Sequence, residues 1–236
     1  MPGARVTDFE VWGPRAARVD LVMDARPIPM SPNDHGWWRV STRAQPGDDY
    51  SFSIDGGPAL PDPRSQSQPE GIHGPSRLMD HSSFTWSDHE WRGVAPPGEV
   101  VYELHVGTFT PEGTLDAAIG RLGQIAELGI GAVQLMPITE FPGDRGWGYD
   151  AVNHYAPHRT YGGPESLKRF VDACHGHGLA AILDVVCSHF GPHCGHLQSF
   201  GPYFSERTRT PWGSAVNLDG PDSDAVRSFF IDNALH

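Results

Sequence analysis

Cysteine is scarce. Cys174, Cys187 and Cys194 are too few for a disulfide framework in a chain of 236 residues. No apolar run approaches the roughly 18 residues that a membrane-spanning helix needs. The opening Met1-Pro2-Gly3-Ala4-Arg5 carries no basic-then-apolar leader. Together these absences lead to the expectation of a reducing, cytoplasmic setting without a membrane partner. Basic residues are also few: 17 Lys and Arg stand against 29 Asp and Glu, a net charge of −12. That balance argues against nucleic acid as a partner and suits a neutral ligand, or simply a well-solvated acidic surface. No G-x-G-x-x-G or G-x-x-x-x-G-K turn follows a strand-like stretch, so nucleotide binding has no support.

What is present is globular in kind, with 38% hydrophobic and 19% charged residues. The 28 Gly and 22 Pro imply many turns, and the seven Trp supply rings that pack cores or meet sugars. Over the first 90 or so residues, short alternating or aromatic-rich stretches are separated by turn residues. Phe9–Trp12, Arg18–Val22, Gly36–Val40 and Tyr50–Ile54 are strands on this pattern, and their spacing favours a small β-sandwich. Residues 57–98 are rich in Pro, Ser, Asp and Gly and read as connection and linker, with a boundary near Pro97.

The periodicity then changes. Val100–Val106 is a strand. Thr114–Leu128 carries a helical apolar stripe between a Thr cap and Gly129. Ala132–Met136 is a second strand and Pro164–His177 a second helix, with Pro in its first turn. Leu179–Val186 is a third strand, and its nearly continuous apolar run predicts burial on both faces, as in a parallel sheet. Asp224–Leu235 begins a third helix. The order β-α-β-α-β-α predicts a parallel sheet with right-handed crossovers. Long loops after the second and third strands fit a barrel whose site lies at the C-terminal strand ends.

Those loops hold the residues of chemical interest. The first contains Gly146-Trp147-Gly148-Tyr149-Asp150, His154-Tyr155-Ala156-Pro157 and Arg159-Thr160-Tyr161-Gly162-Gly163-Pro164. The second opens with Asp184-Val185-Val186-Cys187-Ser188-His189. Taken as residues alone, Tyr149 is as readily a core tyrosine, His189 a structural histidine and Asp184 a hydrogen-bonded buried carboxylate. The stretch as a whole resembles the α-amylase superfamily of glycoside hydrolases. Within it the chain is most similar to the trehalohydrolases. Tyr102-Glu103-Leu104-His105-Val106-Gly107-Thr108-Phe109-Thr110-Pro111-Glu112-Gly113-Thr114, Gly201-Pro202-Tyr203-Phe204, Thr210-Pro211-Trp212-Gly213, Val216-Asn217-Leu218-Asp219 and Leu60-Pro61-Asp62-Pro63-Arg64-Ser65 all match. Branching and debranching enzymes share the general pattern and match these stretches less well.

The resemblance implies an immunoglobulin-like, early-set β-sandwich over 1–92, a linker over 93–98, and over 99–236 the first three β/α units of a (β/α)8 TIM barrel. It implies retaining hydrolysis of the α-1,4 bond next to the trehalose end of a maltooligosyltrehalose. It further implies a synthase that makes this substrate, and no cofactor. By the same resemblance Tyr149 stacks on a glucose ring, His189 donates to a hydroxyl of that sugar and Asp184 orients an arginine supplied later in the chain. Trp147 and Asp150 shape the loop. The family's nucleophile and acid come from its fourth and fifth strands. Neither is expected here, since no D-G-x-R-x-D-x-x-H segment is present up to His236 and Glu103, Glu140 and Glu165 match neither role. The chain on its own is therefore expected to be inactive and poorly stable, with apolar strand edges and helix faces exposed. One departure stands out: Cys187 and Ser188 occupy the places of the family's usual Tyr and Asn before His189. With His193, Cys194 and His196, Cys187 and His189 make five metal-ligand types within ten residues, yet without a C-x-x-C pair, and no metal site is expected. The alternatives are a fragment of a 1,4-α-glucan branching or debranching enzyme and a non-catalytic α-glucan-binding protein.

Overall fold

A computed structural model describes residues 4–94, 98, 100–211 and 213–236. The expected boundary near Pro97 lies outside the described residues. In the first region β1 (Arg5–Trp12), β2 (Val19–Met23), β3 (Arg26–Pro29), β4 (Ser31–Pro32), β5 (Trp37–Ala44), β6 (Asp49–Ile54), β7 (Ala59–Leu60) and β8 (Ser76–Arg77) form two antiparallel sheets. One has the order β1-β5-β4, the other β3-β2-β6-β7, with β8 also on β6. All four strands expected here form. The alternation explains why: along β1, Phe9 and Val11 face the core while Glu10 points out and meets its cross-strand partner Arg39 at 2.6 Å.

Residues 57–94 are not a spacer. Asp62 is buried and accepts hydrogen bonds from the Tyr50 hydroxyl and the Arg64 amide, both at 2.8 Å. Arg64 lies over the Trp37 ring and pairs with Asp232 at 2.6 Å. Further on, the Ser87 amide and hydroxyl both donate to Asp172 at 2.8 Å, and Trp91 stacks on His175 with ring centres 4.4 Å apart. Turn-rich composition hides this packing because each partner is distant in sequence.

The second region contains β9 (Val101–Leu104), α1 (Val106–Phe109), α2 (Leu115–Ile119), α3 (Leu122–Glu127), β10 (Ala132–Leu135), β11 (Thr139–Glu140), β12 (Asn153–Pro157), α4 (Gly163–Gly176) and β13 (Ala180–Leu183). It ends in α5 (Leu197–Phe200), β14 (Phe204–Thr210), β15 (Gly213–Val216) and α6 (Ser223–Leu235). The parallel sheet forms as expected, in the order β13-β10-β9, with Leu135 level with Leu104 and Leu183. Details differ. The first strand stops at Leu104, and Val106 begins a helical turn instead of continuing it. The helix expected over Thr114–Leu128 is broken into α2 and α3. Thr114 caps it, accepting from the Ala117 amide at 3.2 Å, and Gly129 takes φ 79° just beyond its end. Along α4, Ser166, Phe170 and Cys174 recur every four residues and bury one face.

Two cores result. One joins β9, β10, α2, α3 and α4 around Leu115, Leu122, Val133 and Phe170. The other begins between the antiparallel sheets and runs through Tyr155, Phe190, Phe200, Tyr203 and Phe229, so the first region shares its interior with the loops and last helix of the second. The third parallel strand departs from its expected burial. β13 and β9 are the two edge strands, and Ile182 and Leu183 on the one and Val101 and Tyr102 on the other are exposed. An apolar run therefore marks parallel-sheet membership here without burial on both faces.

Candidate functional site

Two loops leave the C-terminal ends of the parallel strands. After β10 the chain forms the β11–β12 hairpin, closed where the Val152 amide donates to the Glu140 carbonyl at 2.9 Å. Gly146–Asp150 lie in the tip of that hairpin. After β13, the Asp184 amide donates to the Leu135 carbonyl at 3.0 Å, which sets Asp184 at the strand end beside the tip. Gly148 is buried with φ +86°, and a Cβ there would lie 1.9 Å from the Pro137 carbonyl oxygen. Only glycine fits, and the close approach presses the tip onto the end of β10.

The hairpin base is built around Glu140. Its carboxylate is fully buried and holds Arg159 twice, by the Arg159 amide at 2.8 Å and by the guanidinium. Arg159 also reaches Asp144 at 2.6 Å and the Gly143 carbonyl at 3.0 Å. Burial pushes Glu140 up to about 7 against the pull of Arg159. Beside it His158 receives the Thr160 amide on Nδ1, so its proton sits on Nε2, directed at the Phe141 carbonyl. Burial, helped by Arg159, depresses His158 to about 4. These groups lock the loop.

The tip is open. Trp147 is 73% exposed and Tyr149 43% exposed. The Tyr149 hydroxyl donates to Asp184 Oδ2 at 2.9 Å, and this bond raises the Tyr149 pKa. His189 Nε2 lies 3.0 Å from the Tyr149 carbonyl oxygen. A carbonyl can only accept, so Nε2 carries a proton, and Nδ1 lies 2.9 Å from the Ser188 hydroxyl. The two loops also touch at Asp150, whose carbonyl oxygen would lie 2.2 Å from a Cβ at Gly191. Four of the five expected residues, Tyr149, Asp184, His189 and Asp150, are thus drawn into one junction. Trp147 stands beside it against His105, ring centres 6.2 Å apart.

Two features escaped the sequence reading. The Glu140–Arg159 lock spans 19 residues and has no motif of its own. His105 lay inside a matched stretch without an assigned role, yet its Nε2 is 2.7 Å from the Gly146 carbonyl. The five Cys and His of 187–196 are dispersed. Cys187 is exposed, and His189 is turned to Tyr149. The buried Cys194 thiol points at the Ala151 carbonyl at 3.4 Å and burial pushes it up to about 12. Burial depresses His196 to about 4. Among the described residues no three His, Cys, Asp or Glu are grouped to hold a metal ion. Glu103 accepts from Gln134 at 2.9 Å and Glu165 pairs with Lys168 at 2.8 Å, both on the surface of the sheet and helix framework.

The family model for the alpha amylase catalytic domain matches residues 61–212, more than half of the chain. The chain belongs to the alpha amylase family. Both loops of the junction, including Tyr149, Asp184 and His189, fall inside the matched residues. The chain is 49% identical to the malto-oligosyltrehalose trehalohydrolase of Arthrobacter ramosus, across 97% of its own length and 40% of that protein. It is 46% identical to the malto-oligosyltrehalose trehalohydrolase of a Rhizobium species, strain M-11, across 95% of this chain and 39% of that one. A crystal structure from Salmonella typhimurium that carries the alpha amylase name superposes with a TM-score of 0.93 at 41% identity, covering 99% of this chain and 41% of the other. The chain therefore spans about 40% of the length of the curated relatives it matches.

Proposed function

We propose that the chain supplies the sandwich and the first three β/α units of a glycoside hydrolase that cuts the α-1,4 bond next to the trehalose end of a maltooligosyltrehalose. In this reading residues 1–92 are an immunoglobulin-like, early-set sandwich, 93–98 a linker and 99–236 part of a (β/α)8 barrel. The reading is supported above all by one observation: the 49% identity to a trehalohydrolase extends over the junction where Tyr149 donates to Asp184.

The junction serves binding. The exposed face of Tyr149 suits the apolar C–H face of a glucose ring. Its hydroxyl, held by Asp184, fixes the ring's tilt. Asp184 keeps acceptor capacity for an arginine, and His189 stands at the rim, where a sugar hydroxyl would compete with the Tyr149 carbonyl for the Nε2 proton. Retaining chemistry needs a nucleophilic carboxylate and a carboxylic acid about 5–5.5 Å apart across the scissile bond. We assign neither to a residue of this chain. A synthase would supply the substrate, and the setting would be cytoplasmic.

The test pairs calorimetry with product analysis on the 236-residue chain. We expect maltoheptaose to bind and maltooligosyltrehalose to remain uncut. Trehalose release would overturn the assignment of the carboxylates elsewhere, and absence of binding would overturn the sugar-binding role of the junction.

A further inference from the structure

His105 is half-buried just beyond β9, and three observations bear on it. First, its Nε2 lies 2.7 Å from the Gly146 carbonyl, so Nε2 is the protonated nitrogen and donates there. Second, its Nδ1, then an acceptor, is 3.1 Å from the Thr108 hydroxyl on the next helical turn. Third, the Tyr161 hydroxyl closes the other side, 3.2 Å from Nε2 and 3.4 Å from the same carbonyl. Gly107 leaves the ring its place: a Cβ there would lie 3.0 Å from the His105 ring and 3.2 Å from Tyr161. At the far end of the same tip His189 repeats the arrangement, with Nε2 on the Tyr149 carbonyl and a hydroxyl on Nδ1. Two imidazoles, one just beyond β9 and one in the loop after β13, thus grip the carbonyls on either side of Trp147 and Tyr149.

We propose that His105 is a positioning residue that sets the angle of the exposed Trp147 ring, and through it the affinity for a maltooligosaccharide. This rests on the sugar-binding reading of the junction. His105 does not touch the sugar; it fixes the Gly146 carbonyl, hence the backbone from which Trp147 projects. Without Nε2 the Gly146 carbonyl keeps only the longer contact from the Tyr161 hydroxyl, at 3.4 Å, so the peptide is held more loosely and the indole loses the fixed orientation that sugar stacking needs.

The experiment is a double-mutant cycle in the 236-residue chain, read by maltoheptaose calorimetry. His105→Ala is expected to weaken binding about five- to tenfold, the range of one lost hydrogen bond. His105→Gln, whose side-chain amide can donate to the same carbonyl, should recover binding to within about twofold. In a Trp147→Ala background His105→Ala should add no further loss. An equal loss with and without Trp147, or full affinity in His105→Ala, overturns the proposal. Should His105→Ala fail to fold by circular dichroism, Thr108→Val carries the cycle, with a loss of about twofold expected because the tautomer is no longer fixed. A parent chain that binds no maltoheptaose removes the sugar reading alone. The clamp is then judged by acrylamide quenching of Trp147, taken as the difference from Trp147→Phe: stronger quenching in His105→Ala, restored by Gln, supports it, and unchanged quenching overturns it.

Discussion

The base and the tip of the β11–β12 hairpin are made of adjacent residues and solve opposite problems. At the base, Glu140 and His158 are fully buried, and Arg159 is engaged by its amide and its guanidinium. At the tip, Trp147 and Tyr149 leave their faces exposed and are held mainly through backbone carbonyls and one phenol–carboxylate bond. The difference teaches how an exposed aromatic face is kept in one orientation. The tip has little core of its own, so it is fixed by donors from the segments that follow β9 and β13, while the base anchors the loop beside the parallel sheet. Conformational entropy is lost once, on folding, and not again when a ligand arrives.

Removing the anchor should have the largest effect. Glu140→Ala leaves the Arg159 amide without its acceptor and the guanidinium with only Asp144 and the Gly143 carbonyl, and it empties a fully buried position, together a loss of about 3–4 kcal/mol. We expect that loss in urea unfolding, together with weaker maltoheptaose binding as the tip loosens. A Glu140→Ala chain of unchanged stability would mean that base and tip are held independently.

Acid should come next, and it separates base from tip by chemistry. Burial depresses His154, His158 and His196 to about 4, against 6.5 for a free imidazole. The unfolded chain therefore binds more protons than the folded one between these values. The stability these histidines contribute is present above about 6.5 and is lost as pH falls toward 4. Glu140 works the other way: raised to about 7, it favours the folded state below its ordinary 4.5, and that contribution is lost as pH rises through 7. His81 and His236, also lowered by burial, act with these histidines, and Asp62, raised by burial, acts with Glu140. The histidines outnumber the carboxyls, so the unfolding free energy from urea titrations should fall from pH 6.5 to 5, by roughly 2 kcal/mol for each of the three buried histidines less a similar gain from Glu140. His158→Gln should flatten the slope. An unfolding free energy that holds or rises toward pH 5 would show that the histidines are hydrated rather than buried.

The same contrast explains what could be read without coordinates. Alternation marked β1, β2, β5 and β6, and a four-residue stripe marked α4, because those signals are local. Gly129, the expected stop of the first helix, and Gly178, just beyond the second, both take positive φ. The base of the hairpin was invisible: Thr139–Glu140 is a two-residue polar strand, and its meaning lies in Arg159, 19 residues on. The 57–94 stretch resembled a linker because Pro, Ser and Gly dominate it, while Arg64 finds Asp232 across 168 residues. Tyr149, Asp184 and His189 were legible through the resemblance. The direction of the His189 proton was not, since it depends on which carbonyl the fold presents to Nε2. The apolar run of β13 promised burial on both faces, but strand order, which no local pattern encodes, left Leu183 exposed.

The smallest expected effect lies at the tip and divides the ring from its hydroxyl. Tyr149→Ala removes the stacking face, and maltoheptaose affinity should fall about tenfold, in line with roughly 1–1.5 kcal/mol for an aromatic contact. Tyr149→Phe keeps the face and loses only the bond to Asp184. Both partners stay within reach of water, so the net cost in stability should be about 0.5 kcal/mol or less. Affinity should change by about twofold, because His189 still holds the residue's carbonyl and Gly148 still packs beneath it. If Tyr149→Phe were as damaging as Tyr149→Ala, the hydroxyl and not the face would be the working part of the residue. The tip would then resemble its base, a polar lock in which the aromatic ring serves as a spacer for the Asp184 contact.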